Sequence, residues 1–320
     1  MDEFPRQGRP GARRAALREL LTSGKASLVP GAADALTARL IERAGFSSVY
    51  VTGAGVANAQ LGVPDVGLTT MDDVLRVARA AVSAVALPVI ADVDTGYGNA
   101  INVMRTVHEF EAAGVSGVQL EDQVTPKRCG HFEGKEVIDD VEMAAKIQAA
   151  VQARSDPGLV IIARTDAAAV FGLDEALRRA CLYHEAGADA LFIEAPVSRE
   201  ELRRIPRNVP GVPHIVNMVE GGKTPILPLS ELSAMGFSLV LYANLALRAA
   251  ARAVERTLER LAREGSSAGL EDEILTMSQR QAIVGLPEIE ALERRFLSRA
   301  DAARSPSLAE GTGATGTPQR

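Results

Sequence analysis

Short aliphatic runs recur along this chain and alternate with longer amphipathic segments. Each run is bounded by glycine, proline or acidic residues, which is typical of short buried strands. The intervening segments are rich in alanine, leucine, arginine and glutamate and have helical periodicity. The predicted strands are residues 27–30, 48–52, 88–93, 117–121, 159–164, 190–194, 214–219 and 239–242. The clearest predicted helices are residues 34–44, 71–85, 101–113 and 173–186.

The junctions between these segments repeat a small-residue pattern. Glycines that suit a left-handed helix end follow four of the helical segments, at Gly45, Gly114, Gly187 and Gly236. Eight strand–helix units in one chain predict an α/β fold, a (β/α)8 TIM barrel. A doubly wound sheet is the alternative architecture. It lacks support because Gly53-Ala54-Gly55 is followed by Asn58 where a dinucleotide fingerprint needs a third small residue.

The two ends of the chain extend beyond what a barrel needs. Helical segments 245–263, 270–281 and 288–299 follow the last strand, and their apolar stripes predict packing on a second subunit. Residues 301–320 are rich in serine, glycine, threonine, alanine and proline and are predicted to be disordered. We therefore divide the chain into an N-terminal leader and helix (1–24), a barrel with C-terminal helices (25–300) and a disordered tail (301–320).

Composition and charge exclude several classes of protein. The net charge of −6 comes from 35 basic and 41 acidic residues, which argues against a nucleic-acid partner. We expect the N-terminal arginines Arg6, Arg9, Arg13 and Arg14 to be solvated. The two cysteines have neither zinc-type nor disulfide-type spacing, and no apolar run reaches about 18 residues. These features predict a soluble cytoplasmic protein without a membrane partner.

Polar residues gather where the predicted strands end, the face of a barrel that carries function. Asp92 and Asp94 are two residues apart, so they lie on the same side of the third strand, and they would face Glu121 on the next strand. A lone aspartate at such a place is usually a helix cap, but three facing carboxylates repel unless a cation or a shared proton intervenes. The pattern favours a divalent metal with oxygen ligands. Arg164 suits carboxylate recognition, or it pairs with Asp166 or Glu194.

A thiol lies between charged neighbours in the loop after the fourth strand. Lys127, Arg128 and His131 surround Cys129 in sequence. Adjacent cations favour the thiolate and so adjust how readily the thiol gives up its proton. The loop is a candidate for proton transfer.

The run Lys127–His131, together with Asp92-Val93-Asp94-Thr95-Gly96-Tyr97-Gly98, resembles the isocitrate lyase / phosphoenolpyruvate mutase superfamily. The resemblance extends from about Ser27 to Ala300. Its short-chain members, methylisocitrate lyase, dimethylmalate lyase and carboxyvinyl-carboxyphosphonate phosphonomutase, are the most similar in appearance.

The resemblance implies a Mg²⁺ cofactor, with Mn²⁺ as an alternative, and a homotetramer (a dimer of dimers) whose subunits exchange C-terminal helices. The implied metal ligands are Asp65, Asp92, Asp94 and Glu121. The implied substrate-binding residues are Thr52, Gly53, Ala54, Gly130, Arg164, Glu194 and Asn217. The implied catalytic residues are Cys129 as proton donor, with Lys127, His131 and Arg164.

The resemblance also implies a reaction. We expect a carbon–carbon lyase that cleaves a small 2-hydroxy di- or tricarboxylate, dimethylmalate- or methylisocitrate-like, to a 2-oxoacid such as pyruvate plus a carboxylate. Val219 replaces a threonine usual in methylisocitrate lyases, which weakens the case for a tricarboxylate substrate. Asn244 is a candidate specificity residue. The alternatives are a phosphonomutase that forms a C–P bond, an oxaloacetate decarboxylase and, remotely, a non-catalytic barrel that binds a metabolite.

Overall fold

Eight parallel strands close into a barrel in chain order, as the computed structural model of the protein shows. The structure describes residues 8–128, 130 and 134–304. The strands are β1 (Ser27–Ala32), β2 (Val49–Val51), β3 (Val89–Asp92), β4 (Gly117–Glu121), β5 (Val160–Thr165), β6 (Ala190–Ile193), β7 (His214–Asn217) and β8 (Phe237–Tyr242). Since β1 pairs with both β2 and β8, the barrel has no free edge, and the predicted fold is confirmed.

Helices surround the barrel, and further helices follow it. They are α1 (Pro10–Thr22), α2 (Ala35–Arg43), α3 (Gly53–Val56), α4 (Met71–Ala84), α5 (Ala100–Ala112), α6 (Asp140–Ala153), α7 (Ala167–Phe171), α8 (Leu173–Glu185), α9 (Arg199–Asn208), α10 (Leu229–Met235), α11 (Leu245–Glu264), α12 (Met277–Val284) and α13 (Leu286–Arg304), with a π-helical turn at Ala57–Leu61. No helix in the described ranges is long and apolar enough to cross a membrane.

Local chemistry fixes where these helices begin and end. Asp34 caps α2 by accepting a 2.7 Å hydrogen bond from the Thr37 amide, and Thr70 caps α4 in a reciprocal capping box with Asp73. The four predicted helix-terminal glycines all have positive φ, between 87° and 106°. A left-handed end lets the chain turn directly into the next strand.

The C-terminal helices differ from prediction in their bounds. The predicted helix at 270–281 is wrong over its first half, because residues 270–276 form turns and α12 begins only at Met277. Thr276 and Gln279 form a capping box that fixes this start. The chain separates into two compact units, 8–270 and 271–304 within the described residues. Helix α13 continues to Arg304, four residues into the predicted tail, and residues 305–320 lie outside the described part.

The N-terminal helix is part of the folded barrel. Leu17 and Leu21 are buried in one cluster with side chains from the barrel strands, including Val29, Ile90, Ile162, Ile215 and Leu239. The expectation that Arg13 and Arg14 are solvated is wrong. Arg13 donates to the Val85 carbonyl at 2.9 Å, and Arg14 donates to Asp156 at 2.6 Å and to the Val115 carbonyl at 3.2 Å.

Replacing Leu17 with alanine should destabilise the protein, because Leu17 is fully buried in the inner cluster. We expect a loss of about 2–5 kcal/mol in the free energy of unfolding, the range for a buried leucine. Leu20→Ala is the matched control, since Leu20 is only partly buried on the same helix. Urea unfolding of both variants tests this. Equal losses of unfolding free energy would show that Leu17 is not packed against the barrel strands as described.

Candidate active site

The carboxyl ends of the strands enclose a small polar cavity. It is lined by Tyr50, Thr52, Ala54, Asp65, Asp92, Lys127, Gly130, Arg164, Phe192, Glu194, Asn217, Leu241, Ala243 and Asn244. Most of the predicted site residues therefore meet at one place. The remaining described ones, Gly53, Asp94 and Glu121, are buried beside it. Cys129 and His131 lie outside the described residues.

Lys127 reaches into the group of predicted metal ligands. Its ammonium forms a short ion pair with Asp65 and lies 3.0 Å from Oδ1 of Asp94. Asp92 accepts the backbone N–H groups of Gly53 and Asp94, each at 3.3 Å. Sequence reasoning assigns the charge of Lys127 to the neighbouring thiol. The structure adds a second role, which is to offset the charge of buried carboxylates.

Two carboxylates of this cluster, Asp94 and Glu121, have a raised pKa. Burial raises the pKa of Asp94 to about 6, helped by Asp92 and Asp65 and opposed by Lys127. Burial also raises the pKa of Glu121 well above its ordinary value, although Arg164 and Lys127 oppose this. The same carboxylates raise the pKa of Lys127 against the effect of its burial. The cluster therefore holds more negative charge than its neighbours neutralise.

The donor set agrees in chemistry and charge with a hard divalent cation. Every candidate ligand is a carboxylate oxygen, which is the kind that Mg²⁺ prefers. Oε1 of Glu121 is buried and has no hydrogen-bond partner among the described residues. In the arrangement seen, no three acidic, histidine or cysteine side chains of the described ranges are close enough to bind a metal together. Lys127 instead supplies the positive charge at this place.

Backbone strain is concentrated at two strand ends of the site. Asp94, Tyr97 and Ala195 have φ values of 46°, 61° and 57°, and they are the only non-glycine residues with positive φ in the part of the chain described. Asp94 and Tyr97 follow β3, and Ala195 follows β6 and Glu194. Such outliers cost free energy and cluster at functional sites, where the surrounding structure enforces them.

Arg164 is the second cation that lines the cavity. Its Nε donates to Oδ2 of Asp166 at 2.9 Å, and its Nη2 donates to Oδ1 of Asp166 at 3.2 Å. Oε2 of Glu121 lies 3.3 Å from Nε of Arg164, and Oε2 of Glu194 lies 3.5 Å from its Nη2. Pairing with Asp166 and exposure to the cavity thus coexist. The pairing of Arg164 with Asp166 is therefore observed, and its role in carboxylate recognition stays a prediction.

Thr52 and Asn244 form a neutral wall. The Thr52 hydroxyl accepts the Gly55 amide at 3.3 Å, which starts α3, and donates to the side-chain oxygen of Asn244 at 3.3 Å. Oδ1 of Asn217, also in the lining, is buried and has no hydrogen-bond partner among the described residues. Asn244 therefore belongs to the wall of the cavity, where a specificity residue has to lie.

Sequence reasoning missed Tyr50 and Lys135. Tyr50 lies two residues before Thr52 on the same side of β2, a signal that strand periodicity could have given, and its hydroxyl accepts from Gln119 at 2.7 Å. Lys135 is buried and bonded to Asp166, and nothing in its spacing reveals this. Asp122 directly follows Glu121, yet it accepts hydrogen bonds from Thr165, Asp166 and Tyr183 rather than lining the cavity.

Comparison with known proteins decides the family. Residues 17–262 match the family described as phosphoenolpyruvate phosphomutase. The chain belongs to this family. It is 47% identical to 2,3-dimethylmalate lyase of Eubacterium barkeri over 88% of this chain and 97% of that protein. It is 42% identical to probable 2-methylisocitrate lyase 2 of Corynebacterium glutamicum over 90% of this chain and 94% of that protein.

Solved structures agree with the fold and the family. A crystal structure of 2,3-dimethylmalate lyase, a PEP mutase/isocitrate lyase superfamily member, has a TM-score of 0.82 at 36% identity and covers 95% of this chain and 99% of that one. Phosphonopyruvate hydrolase in complex with oxalate and Mg²⁺ has a TM-score of 0.80 at 35% identity, covering 89% and 99%. The predicted superfamily and the predicted class of enzyme are confirmed.

The pKa values of Asp94 and Asp166 predict opposite effects of neutralising substitutions in metal-free protein. Asp94, with a raised pKa of about 6, costs stability as pH rises through its folded pKa, so Asp94→Asn should be more stable than wild type at pH 7.5 by roughly 1–3 kcal/mol. Arg164 and Lys135 lower the pKa of Asp166 to about 2 despite its burial. Its ionised form stabilises the fold above about pH 4, and this is lost as pH falls through 2.

Asp166→Asn should therefore destabilise the protein at pH 7.5, by roughly 3–5 kcal/mol as for a broken buried pair. Denaturant unfolding in excess chelator measures both effects. The difference between Asp94→Asn and wild type should shrink as pH is lowered from 7.5 to 4. Equal destabilisation by the two substitutions at pH 7.5 would contradict the described charge balance.

Proposed function

We propose that this chain is a Mg²⁺-dependent carbon–carbon lyase acting on a small 2-hydroxy dicarboxylate of the substituted-malate type. The observation that carries the proposal is the pairing, across one cavity, of an acidic cluster suited to a cation with a buried arginine suited to a carboxylate. The high identity to a protein named 2,3-dimethylmalate lyase supports the substrate class. The products would be a 2-oxoacid such as pyruvate and a saturated carboxylate.

The acidic cluster would hold the metal. The ligands would be Asp65, Asp92, Asp94 and Glu121, with Mg²⁺ preferred and Mn²⁺ as a substitute. The raised pKa of Asp94 and the unsatisfied oxygen of Glu121 support this, because both groups gain from a nearby cation. When bound, the metal supplies stabilisation of negative charge on the oxygens of the 2-oxoacid half.

Arg164 would orient the carboxylate of the other half. Its forked guanidinium is held by Asp166 and packs 5.3 Å from the Phe192 ring centre, so its direction is fixed before a substrate arrives. Thr52, Gly53, Ala54, Glu194 and Asn217 would complete the binding site. As the C–C bond breaks, the 2-hydroxyl would pass its proton to a carboxylate of the acidic cluster and become the carbonyl of the 2-oxoacid. A carboxylate held in register by Arg164 can delocalise the electron pair released on the other half.

Cys129 would protonate the resulting carbanion. Its neighbour Gly130 lies against Arg164 and Glu194, which supports a place for this loop beside the substrate. Lys127 and His131 would adjust the acidity of the thiol. The cysteine thus gives the saturated carboxylate its new C–H bond.

A dicarboxylate is the proposed substrate rather than a tricarboxylate. Val219 supplies no hydroxyl for a third carboxylate, and the neutral Thr52–Asn244 pair occupies one wall. A comparison of substrates distinguishes this activity from that of a phosphonomutase or an oxaloacetate decarboxylase. A chain with two cysteines that lack disulfide-type spacing fits the cytoplasm, which is the proposed location.

Assembly through exchanged helices is part of the proposal. Helix α11 exposes Val254, Leu258 and Leu261, an apolar stripe at helical spacing. An apolar groove beside its first turns is lined by residues that include Leu28, Leu40, Ile41, Phe46, Tyr242 and Leu245. Helices α12 and α13 expose apolar side chains as well, among them Met277, Val284, Phe296 and Leu297. A second copy of the chain would cover these faces in a dimer of dimers.

The lyase proposal predicts pyruvate release that depends on metal and on Cys129. With Mg²⁺, the protein should release pyruvate faster from substituted malates than from tricarboxylates, oxaloacetate or phosphonopyruvate. Chelation should abolish turnover until Mg²⁺ or Mn²⁺ returns. Cys129→Ser should lower kcat by roughly 10²–10⁴-fold, the range for a lost general acid, with KM nearly unchanged. Cys181→Ser on α8 is the matched control. Near wild-type kcat in Cys129→Ser would refute the mechanism.

The assembly proposal predicts dissociation when the exposed stripe is charged. Leu258→Glu should yield smaller species in analytical ultracentrifugation, because a buried unpaired carboxylate opposes association. Arg256→Glu, an exposed position on the same helix, should leave the assembly unchanged. Truncation after residue 264 should also dissociate or precipitate the protein, whereas truncation after residue 304 should be silent. A wild-type monomer with full activity would overturn the exchanged-helix assembly.

A further inference from the structure

Lys135 is a buried lysine that contacts Asp166, the carboxylate that also holds Arg164. Its side chain is 2% exposed. The ammonium donates to Oδ1 of Asp166 at 2.8 Å and to the backbone carbonyl of Gly130 at 2.5 Å. Burying an ammonium is costly unless strong partners replace water. These two contacts therefore fix the conformation of Lys135 and of what it binds.

Asp166 is a rigid anchor for this lysine. Its backbone N–H donates to Asp122 at 2.9 Å, and Asp122 in turn accepts from the hydroxyls of Thr165 at 2.7 Å and Tyr183 at 2.8 Å. The side chain of Asp166 is fully buried and also binds Arg164 through both of its oxygens. Lys135 and Arg164 therefore share one carboxylate that cannot shift without breaking a buried network.

Gly130 is held in close contact with Arg164. A Cβ atom at this position would lie 2.5 Å from Nη2 of Arg164 and 2.7 Å from Cγ of Glu194. Only a backbone without a side chain fits there, and the hydrogen bond from Lys135 holds its carbonyl. The position of Gly130 over Arg164 thus depends on Lys135.

Charge gives Lys135 a second effect on Arg164. Three carboxylates, of Glu121, Asp166 and Glu194, lie within 3.5 Å of the Arg164 guanidinium. The negative potential of these carboxylates opposes the approach of an anion to Arg164. The ammonium of Lys135, 2.8 Å from Asp166, adds a positive charge that offsets part of this potential.

We propose that Lys135 is a positioning residue of this active site: by bridging Asp166 and the Gly130 carbonyl, it holds Gly130 over Arg164 and keeps Arg164 available to a substrate carboxylate. The assignment rests on the proposed lyase function and adds to it a residue that does not itself touch the reacting atoms. It predicts that the charge of Lys135 governs carboxylate binding, while its hydrogen bond governs the loop.

Three substitutions separate these effects. Lys135→Met removes charge and donor, Lys135→Gln keeps a donor without charge, and Lys135→Arg keeps both. The matched control is Arg154→Met, which breaks a 2.5 Å ion pair with Asp189 that does not line the cavity. The kinetic readout is KM and kcat for the pyruvate-releasing substrate, and the binding probe is oxalate with Mg²⁺.

We expect Lys135→Met to raise KM and to weaken oxalate binding by roughly 10–100-fold, as for a lost charge-assisted hydrogen bond. Lys135→Gln should show most of the KM effect, and Lys135→Arg should recover to within about fivefold of wild type. Arg154→Met should lose stability with kcat and KM unchanged. Wild-type KM in Lys135→Met, or equal kinetic losses in Arg154→Met, would overturn the proposal. If Lys135→Met does not fold, Lys135→Gln serves the same comparison.

Amide hydrogen exchange of residues 127–137 provides a readout that needs no turnover. Exchange should be faster in Lys135→Met than in wild type and Lys135→Arg, and unchanged in Arg154→Met. If the wild type proves inactive on every hydroxy acid but this pattern holds, the lyase function fails and the positioning role stands. Unchanged exchange in Lys135→Met would refute the positioning role, whatever the activity.

Discussion

Buried negative charge at one end of the barrel is the constraint on which the rest of the site depends. Asp92, Asp94 and Glu121 are buried at the ends of neighbouring strands, where water cannot stabilise their ionised forms. Lys127 offsets part of this charge, yet the pKa of Asp94 still rises to about 6. A fold keeps such a cluster at a cost in stability. A bound divalent cation would recover that cost, and this is the physical argument for the proposed metal site.

The second half of the site is built around a buried arginine. Arg164 stays ionised among carboxylates because Asp166 binds it through two oxygens, and Lys135 shares that same carboxylate. Buried carboxylates and the guanidinium of Arg164 thus line one cavity. A 2-hydroxy dicarboxylate has matching groups, with oxygens for a metal at one end and a carboxylate for an arginine at the other. The polarity of the cavity explains the proposed substrate class better than its size does.

Much of this site could be predicted from the sequence, because strand periodicity is local. Asp92, Asp94 and Glu121 follow aliphatic runs whose alternation decides which side chains face each other. The contact of Lys127 with Asp65 depends on the path of a loop, and the burial of Lys135 depends on Asp166 across 31 positions. Likewise, Arg13 and Arg14 look like a solvated leader until distant carbonyls and carboxylates are placed around them. Contacts between residues far apart in the chain leave no pattern in the local sequence, so they could not be predicted from it.

Calorimetry of Mg²⁺ binding to the metal-free protein, repeated near pH 6.5 in buffers with different heats of ionisation, tests the central claim most directly. Carboxylates with a raised pKa must lose protons when they bind a metal. The account predicts saturable binding with the release of roughly one proton per site, and a smaller release in Asp94→Asn. Binding without any proton release, or no binding of Mg²⁺ or Mn²⁺ at all, would contradict it.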